Sequence, residues 1–448
     1  MDVRSFAREL FVQGSALGFG DMEVYASSRN QFRVGVFKSE IDSYTLAESR
    51  GLMFRGLING KMGYSFTENF AAEGIEALLK DALANADIMD SDEGEEIFTG
   101  AAPAEYALVD AFSAQLTEVV AGEKIAWVKD VEKQAYALDN RVFTAQVSVG
   151  DTAGETLIMN SRGLELRHRD NFAAGYISAV VKEGQDTKQS YAFVAARDFS
   201  RFDAAKVAKE AVEEALSLLG AAPVTSGSYP VVLRKDVAQA FLSTFASSFS
   251  ADAAQKGMSL LKGKVGQRIM SDIVTIVDDP HLAERPNAAP FDAEGFPTRK
   301  KAVVEAGILN TLLHNQKTAK KDGSASTGNA HKAAYNAPVG VAPSNFYIAP
   351  GRHSFQELLT QMGEGLVITS IQGTHAGANP VSGDFSLSAY GYLVSGGQVA
   401  RPVNQITIAG NFLAMLSDVR AVADDLDFGV GAIGAPSLYI GSLAVSGT

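Results

Sequence analysis

The stretch from residue 373 to residue 410 constrains the fold of this chain more than any other. A glycine-rich loop leads into the alternating run Phe385–Val394, and a second run ends at Ala409, with Gly396-Gly397 between the two runs. Alternation at period two is typical of strands, and paired glycines between such runs are typical of a tight hairpin. The stretch therefore predicts a β-hairpin preceded by a loop, which could line a cleft or form a crowded corner of a β-domain.

The composition is that of a globular protein and excludes several classes of partner. The chain has 448 residues, of which 46% are hydrophobic and 20% are charged, and such a length allows two or three domains. Its net charge of −13 disfavours a nucleic-acid surface, because phosphate binding needs clustered Lys and Arg. No run approaches the roughly 18 uninterrupted apolar residues of a membrane span, and the start MDVRSFAREL lacks a signal-peptide core. We therefore expect no nucleic-acid partner, no membrane segment and a cytoplasmic location.

One pattern occurs twice in the first half of the sequence: a helix, then a strand meander, then a second helix. Apolar spacing typical of helices covers Ser5–Leu17, Thr67–Asp87, Leu116–Leu138 and Asp203–Leu219. Alternating runs predict strands at Met22–Ala26, Gln31–Phe37, Ile41–Leu46, Gly51–Ile58, Lys61–Phe66, Val142–Val149, Glu155–Asn160, Glu165–Asn171, Gly175–Lys182 and Tyr191–Ala196. Asn59-Gly60 predicts a hairpin turn, Asp151–Gly154 predicts a further turn, and Thr67 is a candidate N-cap.

A Pro/Gly/Ser-containing segment at residues 221–228 predicts a boundary between two halves. After it come a strand at Tyr229–Leu233 and a helix at Asp236–Ser250, whose phenylalanines recur every four residues. Only Phe355–Met362 and Gly410–Val422 have helical character beyond that point. We predict an α+β fold of two domains. Residues 1–220 form helices with antiparallel meanders, and residues 229–448 form a mostly β domain with one or two helices.

The sequence lacks the common motifs of zinc proteases and of serine and cysteine hydrolases. HExxH and GxSxG do not occur, and the absence of Cys excludes thiol nucleophiles and Cys-bound zinc. The match to GxGxxG at Gly429–Gly434 is followed at once by Pro436, so we reject a dinucleotide site there. Four carboxylates around Pro280–Phe296 are suited to metal binding or acid–base work, although the same residue types are common in turns. They are Asp278, Asp279, Asp292 and Glu294.

Several ordered motifs resemble the TldD/PmbA family, also called modulators of DNA gyrase or U62-type peptidases. The motifs are PFDAEGFPTR at residues 290–299, VEAGIL at 304–309, VSGDFS at 381–386 with ITIAGN at 406–411, and GAPSL at 434–438. The order of a helix and short strands at the N-terminus is also similar to the first domain of the family. The resemblance spans nearly the whole chain and implies a cytoplasmic metallopeptidase assembly.

The family resemblance implies that this chain lacks its own zinc site. TldD-like members carry HExxxH in the first helix of the C-terminal domain, whereas PmbA-like (TldE-like) members lack it and pair with a TldD-like subunit. The matching helix here has Leu242, Ser243 and Ser247 where His, Glu and His would be. Leucine cannot bind zinc and serine is a poor ligand. A C-terminal Cys ligand of the family is absent too, so the zinc is expected in a TldD-like partner.

The resemblance therefore implies a PmbA/TldE-like, non-catalytic subunit of a peptidase that acts on peptides or unfolded proteins. We expect a heterodimer with a TldD-like chain, and a cleft or subunit interface lined by Gly373, His375, Gly377, Gly383 and Asp384. An alternative is a homodimeric peptide-binding or scaffold protein without peptidase activity. A third hypothesis is a peptidase with an unusual site that uses Asp278, Asp279 or His281.

Overall fold

The computed structural model of the protein describes residues 1–89 and 95–448, and its first half is built on one six-stranded antiparallel sheet. The elements are α1 (Val3–Ala16), β1 (Met22–Phe37), β2 (Glu40–Ile58), β3 (Lys61–Thr67), α2 (Gly74–Ile88), α3 (Ala114–Glu118), α4 (Ala121–Leu138), β4 (Val142–Asn160), β5 (Glu165–Glu183), β6 (Asp186–Ala196) and α5 (Ala204–Ser217). The strand order is β3-β2-β1-β4-β5-β6. The two predicted meanders are thus the two halves of a single sheet, joined where β1 pairs with β4.

Helices cover one face of this sheet. Helices α1 and α2 pack over the end that carries Met22 and Val24, while α4 and α5 pack over the other end. Trp127 of α4 donates from Nε1 to the carbonyl of Phe202 at 2.7 Å, and its ring lies on Gly175 of β5, where a Cβ would overlap the indole. The opposite face of the sheet carries the polar residues that meet the second half of the chain.

The strands of the first half are longer than the sequence predicted. The predicted turn at Asp151–Gly154 is wrong, because these residues lie inside β4. Gly154 is opposite Arg29 on one side and Asp170 on the other, and the absence of a side chain lets the Arg29 guanidinium cross it to reach the Asp170 carboxylate. The predicted hairpin turn at Asn59-Gly60 is confirmed by positive φ at both residues.

The predicted start of α2 at Thr67 is also wrong. The helix begins at Gly74, and the Thr67 hydroxyl instead accepts from the amide of Asn69 at 3.0 Å in a local turn. The predicted helix at Leu116–Leu138 is divided into α3 and α4.

The second half of the chain is mostly β. Its elements are β7 (Gly227–Leu233), α6 (Lys235–Phe245), α7 (Ala251–Gln255), β8 (Ile276–Asp278), β9 (Lys301–Glu305), β10 (Ile308–Leu309), α8 (Gln316–Lys321), β11 (Ala330–His331), β12 (Gly340–Val341), β13 (Phe346–Ile348), α9 (Phe355–Met362), β14 (Gly365–Gln372), α10 (Thr374–Gly377), β15 (Asp384–Ser395), β16 (Gln398–Asn411), α11 (Phe412–Ser417), β17 (Val419–Val422), β18 (Ile433–Gly434) and β19 (Leu438–Ser446). The largest sheet has the order β16-β15-β14-β7-β19-β17 and closes on itself where β16 pairs with β19. The predicted α+β class is confirmed.

Helix α6 is buried against this closed sheet and against α11 through its phenylalanines. The ring of Phe241 lies 4.8 Å from that of Phe385, and the ring of Phe245 lies 4.3 Å from that of Phe412. Both helix residues belong to the main apolar core, so the four-residue spacing correctly indicated a buried helical face. The α-helix is shorter than predicted, since the backbone tightens to a 3₁₀ turn at Ala246–Phe249.

The hairpin predicted within residues 373–410 is confirmed. Strands β15 and β16 pair in antiparallel register, and Gly396 and Gly397 have φ values of 58° and 74° at the turn. The helix predicted over Gly410–Val422 is only six residues long, because residues 419–422 pair with β19 instead. The proposed boundary at residues 221–228 stays a prediction. No helix in the described ranges is long and apolar enough to cross a membrane.

Candidate functional site

Helix α6 and the 3₁₀ turn that follows it contain the three positions that the family resemblance equates with the His, Glu and His of the zinc motif. Leu242 is fully buried in the apolar core, whereas Ser243 and Ser247 are exposed. Ser247 also lies beyond the α-helix, in the 3₁₀ turn. The leucine therefore points away from the solvent side on which the two hydroxyls lie, and it has no atom that can donate electrons to a metal. These residues do not fit a zinc ion.

The glycine-rich loop lies beside the C-terminal end of this helical segment. Ser248 is 1% exposed, and its hydroxyl donates to the carbonyl of Pro380 at 2.9 Å. The Ser259 hydroxyl in turn donates to the carbonyl of Ser248 at 2.5 Å. The structure thus brings the segment matched to the zinc motif into contact with the loop predicted to line a cleft. The sequence carried no signal for this contact, because serine hydroxyls accept and donate in many settings.

The five residues predicted to line the cleft all lie in or next to this loop. Gly373, His375 and Asp384 are exposed, Gly377 is half-buried and Gly383 is buried. A Cβ on Gly377 would overlap the carbonyl of Ser386, and Gly383 has a φ of 86°. The glycines are therefore explained by close packing and left-handed backbone, as the crowded-corner interpretation proposed.

Asp384 is held by its neighbours at the start of β15. Its carboxylate accepts from Asn411 Nδ2 at 3.0 Å, and hydrogen bonds from Asn411 and Ser382 lower the pKa of Asp384. Asn411 also caps α11, with its Oδ1 accepting from the amides of Leu413 and Ala414. The carboxylate therefore orders the base of the loop.

A cavity of about 200 Å³ lies between the polar face of the first sheet and loops of the second half. Tyr25, Arg29, His168 and Asp170 line one wall, and residues from the ranges 280–298 and 328–344 line the other. Arg29 pairs with Asp170 at 3.0 Å. The cavity thus marks the contact between the two halves of the chain, and its Arg and Asp neutralise each other.

A buried ion network crosses the same contact. Arg55 of β2 donates to both carboxylate oxygens of Glu23, at 2.7 and 3.0 Å, and its Nη1 lies 3.9 Å from Glu294 Oε1 of the second half. All three side chains are less than a tenth exposed. Burial alone would lower the pKa of Arg55, but the charge and hydrogen bonds of Glu23 outweigh it and raise the pKa. A single guanidinium therefore forms ion pairs with carboxylates from both halves.

The motif PFDAEGFP forms a tight loop around the buried carboxylate of Asp292. Its Oδ1 accepts from the amides of Glu294 and Phe296, and its Oδ2 accepts from the amide of Ala330. Burial, followed by the negative charge of Glu294, raises the pKa of Asp292 to about 8, against the amides that favour the charged form. Burial likewise raises the pKa of Glu294, while Arg55 opposes the shift. Asp292 thus organises the backbone of the motif.

The residues proposed for an unusual peptidase site, Asp278, Asp279 and His281, form hydrogen bonds or ion pairs with other groups of the protein. Asp278 is fully buried and accepts from Lys301 Nζ and Asn329 Nδ2, both at 2.8 Å. Asp279 accepts from the amide of His281 at 3.0 Å, and the ring of His281 lies 3.2 Å from Thr298 Oγ1. Within residues 1–89 and 95–448, no three His, Asp or Glu side chains form a group that could hold a metal ion.

Sequence reasoning missed Glu23 and Arg55. Each is a single charge among apolar residues of a strand, in Met-Glu-Val at residues 22–24 and in Phe-Arg-Gly at residues 54–56. Alternation places such a residue on the face opposite the helices, where a solvent-exposed position is the usual expectation. The second half of the chain covers that face and buries the pair.

Comparison with known proteins identifies three matching domains in this chain. Residues 22–86 match PmbA/TldA metallopeptidase domain 1, residues 115–219 match the PmbA/TldA metallopeptidase central domain, and residues 226–447 match the PmbA/TldA metallopeptidase C-terminal domain. The three matches together cover most of the chain.

Similar proteins align over nearly the full length. A metalloprotease PmbA homolog of Haemophilus influenzae is 27% identical over 94% of this chain and 91% of its own. The crystal structure of a Thermotoga maritima protein described as a modulator of a DNA gyrase has a TM-score of 0.92 and 32% identity, covering 99% of this chain and 100% of that one. The crystal structure of TldE from Thermococcus kodakarensis has a TM-score of 0.90 at 21% identity, over 99% and 100% of the two chains, and supports the fold.

Proposed function

The chain belongs to the PmbA/TldD family of metallopeptidases, and from this premise we propose that it is a PmbA/TldE-like subunit that has no zinc site of its own. In this proposal it pairs with a TldD-like subunit that supplies the zinc. The assembly hydrolyses peptides or unfolded proteins, and this chain contributes to binding rather than to bond cleavage.

The observation that carries the proposal is the buried Leu242. A zinc ligand must present a lone pair to the metal, and a leucine packed in the core cannot do so. The exposed hydroxyls of Ser243 and Ser247 are weak ligands for zinc. The similarity to a metalloprotease PmbA homolog supports the proposed subunit type.

The loop next to α6 is our candidate for a wall of the peptide cleft. Ser248 joins this loop to the helical segment, and His375 and Asp384 are exposed on it. Extended peptides are commonly held by main-chain pairing with a strand edge, which places few demands on their sequence. We therefore propose that the loop contacts peptides in the assembly, or contacts the TldD-like subunit itself.

Metal analysis and peptidase assays test the proposal together. The purified chain is expected to bind less than stoichiometric zinc and to leave unfolded casein intact, while the chain mixed with a TldD-like HExxxH protein cleaves it. A partner whose first motif His is replaced by Ala is the control and should abolish cleavage. Stoichiometric zinc and casein cleavage by this chain alone would refute the proposal.

A matched pair of variants tests the loop. His375→Ala should lower casein cleavage by the assembly several-fold or weaken co-purification, because His375 is exposed on the proposed wall. Lys80→Ala changes an exposed residue of helix α2, which packs on the sheet of the first half, and should change neither. If both variants behave like the unmodified chain, the loop is not part of the cleft or the interface.

A further inference from the structure

The cavity between the two halves of the chain is lined by residues outside α6 and outside the loop at residues 373–383. Its volume is about 200 Å³, which corresponds to about seven waters of roughly 30 Å³ each. An amino acid or a dipeptide fits this space, whereas a longer peptide does not. One wall is polar, and the other includes three prolines and Phe291, a combination that is typical of sites for small molecules.

The polar wall carries opposite charges side by side. Arg29 of β1 and Asp170 of β5 both pair with Gly154 of β4, so a guanidinium and a carboxylate share one row across the sheet. Nη1 and Nη2 of Arg29 lie 3.0 and 3.5 Å from the two carboxylate oxygens. A guanidinium has more N–H donors, and a carboxylate more lone pairs, than this pair uses. The pair therefore retains donors for a ligand carboxylate and acceptors for a ligand ammonium.

His168 adds an acceptor beside Asp170. It lies two residues before Asp170 on β5, so alternation places both side chains on the face that lines the cavity. Burial lowers the pKa of His168, although the charge of Asp170 and a hydrogen bond to the Ala288 carbonyl oppose the shift. Nε2 of His168 is buried, and the described residues offer it no hydrogen-bond partner. A neutral imidazole that donates from Nδ1 to Ala288 leaves Nε2 as an unsatisfied acceptor, so a donor is missing at this wall.

We propose that this cavity binds a small zwitterion, namely a free amino acid or a dipeptide. Arg29 binds the ligand carboxylate, while Asp170 and His168 bind the ligand ammonium. A zwitterion matches a wall that carries both charges, whereas a simple anion or cation would meet one like charge there. This choice of ligand rests on the proposed function, because the cleavage of peptides releases zwitterions of this size.

Isothermal titration calorimetry of the purified chain with the dipeptide alanylleucine tests the proposal. The dipeptide with free termini should bind at neutral pH. Its N-acetyl form and its C-terminal amide should each bind about tenfold more weakly, because each loses one charge-assisted contact. Equal binding of the free and capped dipeptides would overturn the proposal, and so would the absence of binding of the free dipeptide at millimolar concentration.

Two variants identify the charge that each end of the ligand meets. Arg29→Gln should remove the preference for the free carboxylate over the amide, and Asp170→Asn should remove the preference for the free amine over the acetyl form. Arg167→Gln is the matched control. The side chains of Arg167 and Arg29 are both 48% exposed, and each pairs with a carboxylate on another strand of the sheet, but Arg167 does not line the cavity. If Arg29→Gln and Arg167→Gln bound the free dipeptide equally well, the proposal would be wrong.

The titrations use this chain alone and involve no peptidase reaction. Zwitterion binding and casein cleavage by the assembly can therefore fail independently of each other. Far-UV circular dichroism of each variant checks that the fold is retained. If a variant does not fold, the comparison of free and capped dipeptides on the unmodified chain still decides the proposal.

Discussion

Loss of the Arg55 guanidinium should lower the stability of the protein strongly with little change in side-chain volume. It is 6% exposed and lies between Glu23, which is 1% exposed, and Glu294, which is 3% exposed. Arg55→Met keeps most of the apolar stem but removes the guanidinium. Two buried carboxylates from different halves of the chain would then lack their cation.

The expected loss is about 3–5 kcal/mol in the free energy of unfolding, which is the usual cost of removing one partner of a buried pair. The cost arises because the buried carboxylates of Glu23 and Glu294 are left unpaired, rather than from the lost attraction between Arg55 and these carboxylates. Urea denaturation followed by far-UV circular dichroism at neutral pH measures the change. The double variant Arg55→Met/Glu23→Gln removes one stranded charge and should lose less than the single variant.

Arg4→Met is the matched control. Arg4 bonds Glu165 at 2.6 Å, a distance similar to that between Arg55 and Glu23, but both side chains of that pair are more than a third exposed. An exposed pair contributes about 0–1 kcal/mol, because water and salt screen it. If Arg55→Met and Arg4→Met lost the same amount, burial would not govern the strength of these pairs and the reasoning would be refuted.

Three further predictions concern Asp292, Gly175 and the cap of α9. Burial raises the pKa of Asp292 to about 8, so its contribution to stability is full below the ordinary Asp pKa and is lost as the pH rises towards 8. Asp292→Asn should therefore flatten the fall in unfolding free energy between pH 5 and pH 8. An unchanged slope would contradict this. Gly175→Ala should lower stability by about 1–3 kcal/mol through overlap with the Trp127 ring, measured by thermal unfolding, and a neutral effect would show that the indole moves aside. Ser354→Ala should cost about 0.5–2 kcal/mol in the same assay, because the Ser354 hydroxyl and Glu357 form a capping box, and no loss would mean that the cap is dispensable.

Short-range patterns in the sequence predicted much of the fold. The phenylalanines of α6, the turn at Asn59-Gly60 and the hairpin at Gly396-Gly397 all depend on residues close in sequence. The turn predicted at Asp151–Gly154 was wrong for a long-range reason. Its glycine accommodates the Arg29 side chain of a neighbouring strand, which no local pattern can reveal.

The candidate site was predictable in part. The segment with Leu242, Ser243 and Ser247 was located through the family motif, but its contact with the Pro380 loop depends on the packing of distant segments. The motif around Asp292 was recognised, whereas its ionic neighbour Arg55 lies in the other half of the chain. Burial of such a network arises only when the two halves meet, and therefore it leaves no local signal.

The seam between β1 and β4 has a consequence for how the chain reaches its native state. Strands β4, β5 and β6 follow one another in the chain and pair as neighbours, as do β1, β2 and β3, whereas Val34 of β1 pairs with the distant Val149 of β4. Local pairings close short loops quickly, while distant pairings raise the contact order and slow folding. Each meander can thus form with its helices as a local unit. Pairing of β1 with β4 is then the slow step that completes the sheet.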